Sequence, residues 1–310
     1  LVESCGIPFQ AISSGKLRRY WSLENVSDIL RIALGTVQAL AWFVHHPTDV
    51  VISAGGYVGV PVGVAAWLWR VPVCIHQQDV RASLTNKILA PLASRITVAF
   101  SASLTDFPRQ KTVVTGNPVR RVFYHGSRSD ARAKLNLPAG VPVVAVLGGG
   151  TGAEALNRVV REALPQLTTA AHVLHLTGRG REASAAANNT RYHQIDFTTD
   201  TVSVLAAADV VVTRAGMGTL GELGALGRAA VVVPMPSSHQ EDNARLLHER
   251  GAAAVMPQVG LTAQALVATV TELLSSEPKR ELLADNIKKL FPSSAAANVA
   301  REVQSAVGRT

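Results

Sequence analysis

The sequence predicts an α/β protein of two open parallel sheets, each covered by helices on both faces. Three observations carry that prediction. Short β-branched runs alternate with helical patterns almost from end to end. The runs are apolar throughout rather than alternating. A strand, glycine, helix theme recurs at Gly55, Gly148 and Gly216. Continuous apolar strands joined through helices belong to parallel sheets buried on both sides. At 310 residues the chain is long enough for two such domains, and its 47% hydrophobic and 17% charged content can fill two cores.

The elements follow in order. Ile32–Val44 reads as part of a long amphipathic helix. A first set of strands is expected at Asp49–Ala54, Val71–Gln77, Arg95–Phe100 and Lys111–Gly116. A second set is expected at Val141–Gly148, Ala171–Gly178, Arg191–Phe197, Asp209–Gly216, Ala229–Pro236 and Ala252–Gln258. Between the sets, Gly116–Pro142 carries proline, glycine and charge but no strand. The domain boundary is therefore placed near Arg120, giving an N-terminal domain over 1–120 and a C-terminal domain over 121–292. The tail from Glu281 reads as two helices broken at Pro292, the last (293–310) packing back on the first domain. Two open parallel sheets facing each other leave a cleft at the carboxyl ends of their strands, where ligands bind.

Composition narrows the function. Cys5 and Cys74 stand in no motif, which argues against a disulfide frame or a zinc site. No apolar run reaches 18 residues, and Ile32–Val44 contains Gln38 and Thr36, so no membrane span is expected. The sequence starts at Leu1 with no positively charged leader or cleavage site, which suggests a fragment rather than a secreted mature protein. The formal charge of +8 favours phosphate-bearing partners. Nucleic acid is disfavoured, because no helix-turn-helix, finger or RNA-binding aromatic motif accompanies the charge.

The glycine turns carry the chemistry. Gly148–Ala153 fits the dinucleotide fingerprint G-x-G-x-x-A, but nothing acidic lies between Glu162 and Glu182 to hold a ribose. Arg179 keeps an NADP version open, and a P-loop is excluded. In either case a helix beginning after such a turn offers free N–H groups and about half a positive charge to an anion. The stronger turn is Val210–Gly227. Thr219 and Glu222, three apart, share a helix face. Thr219 can donate to a phosphate, and Glu222 can accept two hydrogen bonds from a ribose diol. Ser238 and Glu241 have capping-box spacing, leaving His239 and Gln240 to point from the helix start toward a ligand. In the first half, His76, Gln77, Gln78 and Asp79 form a polar cluster after an apolar strand.

These pieces together resemble the MurG family of peptidoglycan N-acetylglucosaminyltransferases. The matching segments are "GGYVGVP", "HQQD" followed by "LTNK", "TGNPVR", "GGGTGA" with "LN" after it, "TRAGMGTLGELGALG" and "HQEDNA". They occur in family order over nearly the whole chain. The resemblance implies a fold of two Rossmann-like domains facing across a cleft, known as GT-B. It implies inverting transfer of N-acetylglucosamine from UDP-N-acetylglucosamine to the 4-hydroxyl of undecaprenyl-diphosphate-linked muramoyl pentapeptide. It also implies a peripheral position on the cytoplasmic face of the cell membrane. For the donor it implies Arg120, Gly149, Gly150, Thr151 and Gly152 near the diphosphate, and Thr198 beside uracil through its backbone. Met217, Gly218 and Thr219 would line the phosphates, Glu222 would take the ribose, and His239 and Gln240 the sugar. For the acceptor it implies Gly55, Gly56, Tyr57, Gln77, Gln78 and Asn86; it draws the base from an N-terminal histidine turn that this sequence does not include, which leaves His76 and Asp79 as the candidate bases. No Asp-x-Asp motif lies near the nucleotide segments, so neither metal nor other cofactor is expected.

The sequence departs from the family in three places. His76-Gln77-Gln78-Asp79 stands where His-Glu-Gln-Asn is usual. Gly150 stands where a serine is common. The family's opening strand, glycine-rich turn with histidine, and helix have no counterpart, so the first domain is expected to lack its first β-α unit. Two alternatives stand beside the transferase: an enzyme of the same fold acting on UDP-N-acetylglucosamine alone, resembling the 2-epimerases, and, because of that last departure, a non-catalytic sugar-nucleotide-binding remnant. Lys16, Arg18, Arg19 and Arg31 beside Tyr20 and Trp21, with Trp67, Trp69 and Arg70, offer a basic-aromatic surface to an anionic membrane.

Overall fold

The computed structural model describes residues 6–15, 24–149, 153–178 and 189–308, with the backbone alone at 24–26. Cys5, Lys16, Arg18, Arg19, Tyr20 and Trp21 lie outside the described residues. The chain divides into two compact units, Leu1–Thr115 with Ala297–Thr310, and Gly116–Ala296. Each expected apolar run holds a strand, and every strand pairing is parallel.

Unit 1 runs α1 (Glu24–His45), β1 (Val51–Ser53), α2 (Gly59–Leu68), β2 (Val73–Gln77), α3 (Leu84–Leu89), β3 (Arg95–Val98) and β4 (Thr112–Val114). Its strands lie in chain order, β1-β2-β3-β4. β2 is buried along its whole length, whereas β1 and β4 are part-exposed edges. Ala39 and Phe43 of α1 join Ala65 and Ala66 of α2, Leu89 of α3, and Ile75 and Ile96 of the sheet in one core. The rest of α1 is less covered. Ile29, Leu30, Leu34, Val37 and Val44 are exposed.

Unit 2 runs α4 (Arg128–Lys134), β5 (Val143–Leu147), α5 (Glu154–Ala170), β6 (His172–Leu176), β7 (Tyr192–Ile195), α6 (Thr201–Ala207) and β8 (Val210–Thr213). It continues with α7 (Met217–Leu226), β9 (Ala229–Val232), α8 (Gln240–Glu249), β10 (Ala254–Val255), α9 (Ala263–Ser275) and α10 (Glu277–Leu290). The sheet order β10-β9-β8-β5-β6-β7 reverses direction between β5 and β8. Such a switch point opens a crevice at the carboxyl ends of the strands. Val144, Val146, Val210, Val212 and Val231 on one face pack with Leu156, Val160 and Leu164 of α5 and Leu266 and Val270 of α9.

The final helix, α11 (Ala295–Val307), passes from unit 2 into unit 1. There Arg95 Nε lies 3.2 Å from Glu302 Oε2 in a half-buried ion pair, and Asn298 Nδ2 donates to the Thr115 carbonyl (3.3 Å). The boundary at Gly116 precedes the expected one near Arg120, and the later crossing at Ala297 follows Pro292. Packing explains both offsets. A Cβ on Gly116 would stand 2.9 Å from Pro292 and 3.0 Å from Ala295, so these segments share unit 2.

Candidate functional site

In unit 2 a pocket of about 140 Å³ opens where β5, β6 and β7 end. Gly149, Gly178, Thr198, Thr219 and Glu222 line it, together with Asp196, Phe197 and Thr201. The pocket thus brings together four of the donor residues expected from sequence: Gly149, Thr198, Thr219 and Glu222. Gly150, Thr151 and Gly152 lie outside the described residues.

The glycines of α7 divide by turn. Gly216 is the N-cap, and a Cβ there, on Gly218 or on Gly149 would meet none of the described residues within 4 Å. One turn later the space is full. A Cβ on Gly221 would stand 2.9 Å from Val119, and one on Gly224 2.4 Å from Phe291. The first glycines leave the helix start open to an anion and the later ones admit close packing. Met217 is buried, so it can offer such an anion its N–H but not its side chain.

Glu222 and Arg120 are bonded to each other. Arg120 Nη2 donates to Glu222 Oε1 (2.8 Å) and to Thr201 Oγ1 (3.1 Å). Its guanidinium carbon sits 4.8 Å over the Phe123 ring. Both protons of Nη2 are thereby engaged, and among the described residues Nη1 and Nε make no hydrogen bond. One arginine can therefore orient the carboxylate and still present donors to a phosphate. Burial pushes the Glu222 carboxyl above its usual range, and Arg120 partly offsets that.

Sequence reasoning missed Asp196. Its Oδ1 accepts from Thr177 Oγ1 (3.3 Å) and Gln194 Nε2 (3.2 Å). The available signal was its place directly after β7. Thr198 Oγ1 accepts from the Asp200 N–H (3.0 Å), which shapes the turn into α6.

His239 and Gln240 are not among the residues lining this pocket. The Ser238–Glu241 capping box does not form: α8 starts at Gln240 with His239 as N-cap. Ser238 Oγ instead accepts from the Gln240 N–H (3.2 Å) and donates to the Met235 carbonyl (2.7 Å). Gln240 Oε1 accepts from the Met235 N–H (3.1 Å). A tight turn through Ser237, at φ +55°, takes the hydroxyl that the box required.

The polar cluster of unit 1 sits at the end of β2. Gln77 and Asn86 are both buried. Gln77 Nε2 donates to the carbonyls of Asp79 (2.9 Å) and Arg81 (2.8 Å), while its Oε1 accepts from the Ser83 N–H (3.1 Å) and Asn86 Nδ2 (2.8 Å). Asn86 Nδ2 also donates to the His76 carbonyl (3.1 Å). These two amides brace the loop from β2 to α3. His76 Nδ1 and Thr97 Oγ1 share a 2.8 Å hydrogen bond, and Thr97 Oγ1 also lies 3.3 Å from the Ile75 carbonyl. Gln78 and Asp79 are half-buried, and Gly56 and Tyr57 are exposed. Gly55 adopts φ +93°, and a Cβ there would stand 3.0 Å from Ser83 Oγ.

Comparison with known proteins places these features. The glycosyltransferase family 28 N-terminal domain matches residues 1–98 and its C-terminal domain residues 143–300. A Legionella pneumophila protein named UDP-N-acetylglucosamine--N-acetylmuramyl-(pentapeptide) pyrophosphoryl-undecaprenol N-acetylglucosamine transferase is 36% identical over 301 residues, covering 95% of this chain and 82% of that protein. A Bacillus cereus protein with the same name and the suffix 2 is 35% identical over 278 residues, covering 88% of this chain and 79% of its own length. The crystal structure of Acinetobacter baumannii MurG matches at TM-score 0.72 and 27% identity, over 98% of this chain and 87% of that one. With both family domains and these relatives matched, the chain belongs to glycosyltransferase family 28, among the MurG N-acetylglucosaminyltransferases.

Proposed function

We propose that the protein transfers N-acetylglucosamine from UDP-N-acetylglucosamine to the 4-hydroxyl of undecaprenyl-diphosphate-linked muramoyl pentapeptide, with inversion. The observation that carries this reading is the unit 2 pocket. An open helix start, a hydroxyl and an arginine-held carboxylate stand together in a chain of this family. The acceptor oxygen attacks the sugar anomeric carbon, the bond to UDP breaks, and the electron pair leaves on the diphosphate. Negative charge grows there. The N–H groups of Gly218 and Thr219 and the unengaged donors of Arg120 are fixed stabilisers for it. Glu222 takes the ribose diol.

The hydroxyl proton needs a base. His76, buried at the end of β2 beside Thr97, is the first candidate base, and Asp79 is the second. Gly55, Gly56, Tyr57 and Gln78 serve the acceptor. His239 and Gln240 serve the donor sugar. No resident metal or other cofactor is required in this reading, so turnover is expected to persist in EDTA; its loss would refute that part.

Contrary to the expectation from sequence, Ser27–His45 of α1 is long and apolar enough to cross a membrane. Because Asp28, Ala39 and Phe43 on it are buried in unit 1, we place the enzyme on the cytoplasmic face of the membrane, attached without spanning it. The exposed apolar residues of α1, with exposed Trp67, Leu68 and Trp69 beside Arg70, support an interfacial mode. Co-sedimentation with anionic vesicles, and not with neutral ones, is the expected outcome.

Calorimetry with UDP tests the donor reading. The unaltered protein should bind UDP. Glu222→Ala should weaken binding by about tenfold or more, the worth of hydrogen bonds to a charged group. No heat with UDP, or an unchanged affinity in the folded variant, rejects the assignment.

A further inference from the structure

Beneath the pocket lies a hydrogen-bonded chain that the transfer chemistry does not itself use. His175 and Asn157 are fully buried, on β6 and on the first turn of α5. Asn157 Nδ2 donates to the Thr177 carbonyl (2.9 Å), which leaves Oδ1 as its acceptor. His175 Nε2 must therefore donate to Asn157 Oδ1 (3.1 Å). His175 Nδ1 is then an acceptor and takes the Tyr192 hydroxyl proton (3.1 Å). Gln194 Oε1, at 3.5 Å, is the poorer partner for that proton. The directions of these bonds follow from donors and acceptors alone.

The chain ends at the pocket. Thr177 donates from Oγ1 to Asp196 and from its N–H to the Ile195 carbonyl (3.1 Å). Gly178, which follows it at φ +93°, lines the pocket, as do Asp196 and Gly149. Asn157 thus ties the start of α5, which follows the glycine-rich turn, to the exit of β6. The exit of β6 forms one wall of the pocket through Leu176 and Gly178, and Asn157 holds it from behind. His175 decides which way the Asn157 amide faces. Without its N–H, Oδ1 would be a buried unsatisfied acceptor, and the amide would gain by turning away from Thr177.

We propose that His175 is a positioning residue for the donor pocket, fixing Asn157 and through it the Thr177–Gly178 wall, so that it governs affinity for the nucleoside diphosphate rather than turnover. The proposal rests on reading the pocket as the UDP site. It predicts a pre-formed site whose rigidity comes from an imidazole that never touches the ligand.

The experiment compares UDP binding and steady-state kinetics for His175→Phe and His175→Gln, each checked for folding by circular dichroism. His175→Phe keeps the volume and removes both bonds. It should weaken UDP about fivefold or more and raise KM for the sugar nucleotide similarly, with kcat within about twofold. His175→Gln, whose amide can donate to Asn157, should recover most of the affinity. If His175→Phe does not fold, Asn157→Asp serves instead. It still accepts from His175 but cannot donate to Thr177, and the same loss is expected. A folded variant with unchanged UDP affinity, a kcat loss without a KM change, or a His175→Gln as weak as His175→Phe overturns the proposal while leaving the UDP reading standing. Absence of UDP binding by the unaltered protein overturns both.

Discussion

The polar clusters at the strand ends of the two units use their hydrogen bonds in opposite directions. In unit 1 the buried amides of Gln77 and Asn86 bond to their own loop. In unit 2, Thr219 and Glu222 line an open pocket, and Arg120, which holds Glu222, keeps donors in reserve. Polar side chains near the strand ends of a parallel sheet can therefore act as a brace or as a grip. The difference is set by whether loop carbonyls approach closely enough to take the donors.

That contrast can be broken at its strongest point first. Gln77→Ala removes four internal hydrogen bonds from a buried side chain. It should cost about 4 kcal/mol in a denaturant titration, at roughly 1 kcal/mol per bond, while folded protein keeps its UDP affinity. A negligible change in stability would mean that the amide is not a brace.

Acid probes an inward-facing group of unit 2. Burial, with a smaller contribution from the Arg161 charge, lowers His175 from 6.5 to about 4. The unfolded chain takes up this proton below pH 6.5, and the folded one only near pH 4. Stability should therefore be unaffected by this group above pH 6.5 and fall as the pH drops toward 4, by roughly 3 kcal/mol in all. His172 and His193, also lowered chiefly by burial, act in the same direction. Chemical denaturation at pH 7.5 and pH 4.5 measures the slope. In His175→Phe most of it should vanish.

The α7 glycines sharpen the comparison within one helix. Gly224→Ala drives a methyl into the buried Phe291 ring and should cost about 1–3 kcal/mol without altering UDP binding in the folded protein. Gly218→Ala meets no neighbour among the described residues. It should gain about 0.5–1 kcal/mol from helix propensity yet weaken UDP, as measured by thermal melts with and without the nucleotide. Equal UDP affinities for the two variants would deny the helix start a role in binding.

Legibility from sequence followed the same divide. The strands could be read because runs such as Val210–Thr213 and Val143–Leu147 are apolar on both faces, as strands of a doubly covered parallel sheet are, and are short and β-branched. The Thr219–Glu222 pair could be read because helix geometry alone puts those residues on one face. Gln77 and Asn86 could not be separated from ligand contacts, since their burial depends on carbonyls brought near only in the fold. Asp196 escaped because no glycine marks the turn after β7. The Ser238–Glu241 spacing misled because a neighbouring turn took the serine hydroxyl. The unit boundary moved because Gly116 packs against Pro292 and Ala295, far away in sequence.

The placement of α11 has a consequence for biosynthesis. Unit 2 is one continuous stretch, whereas unit 1 draws its closing helix from beyond it. On the ribosome, residues 116–296 emerge together and can reach their native state as soon as they clear the exit tunnel. The earlier-made segment must wait for Asn298 and Glu302 before its own last helix docks. Unit 1, although begun first, is therefore the later of the two to be completed.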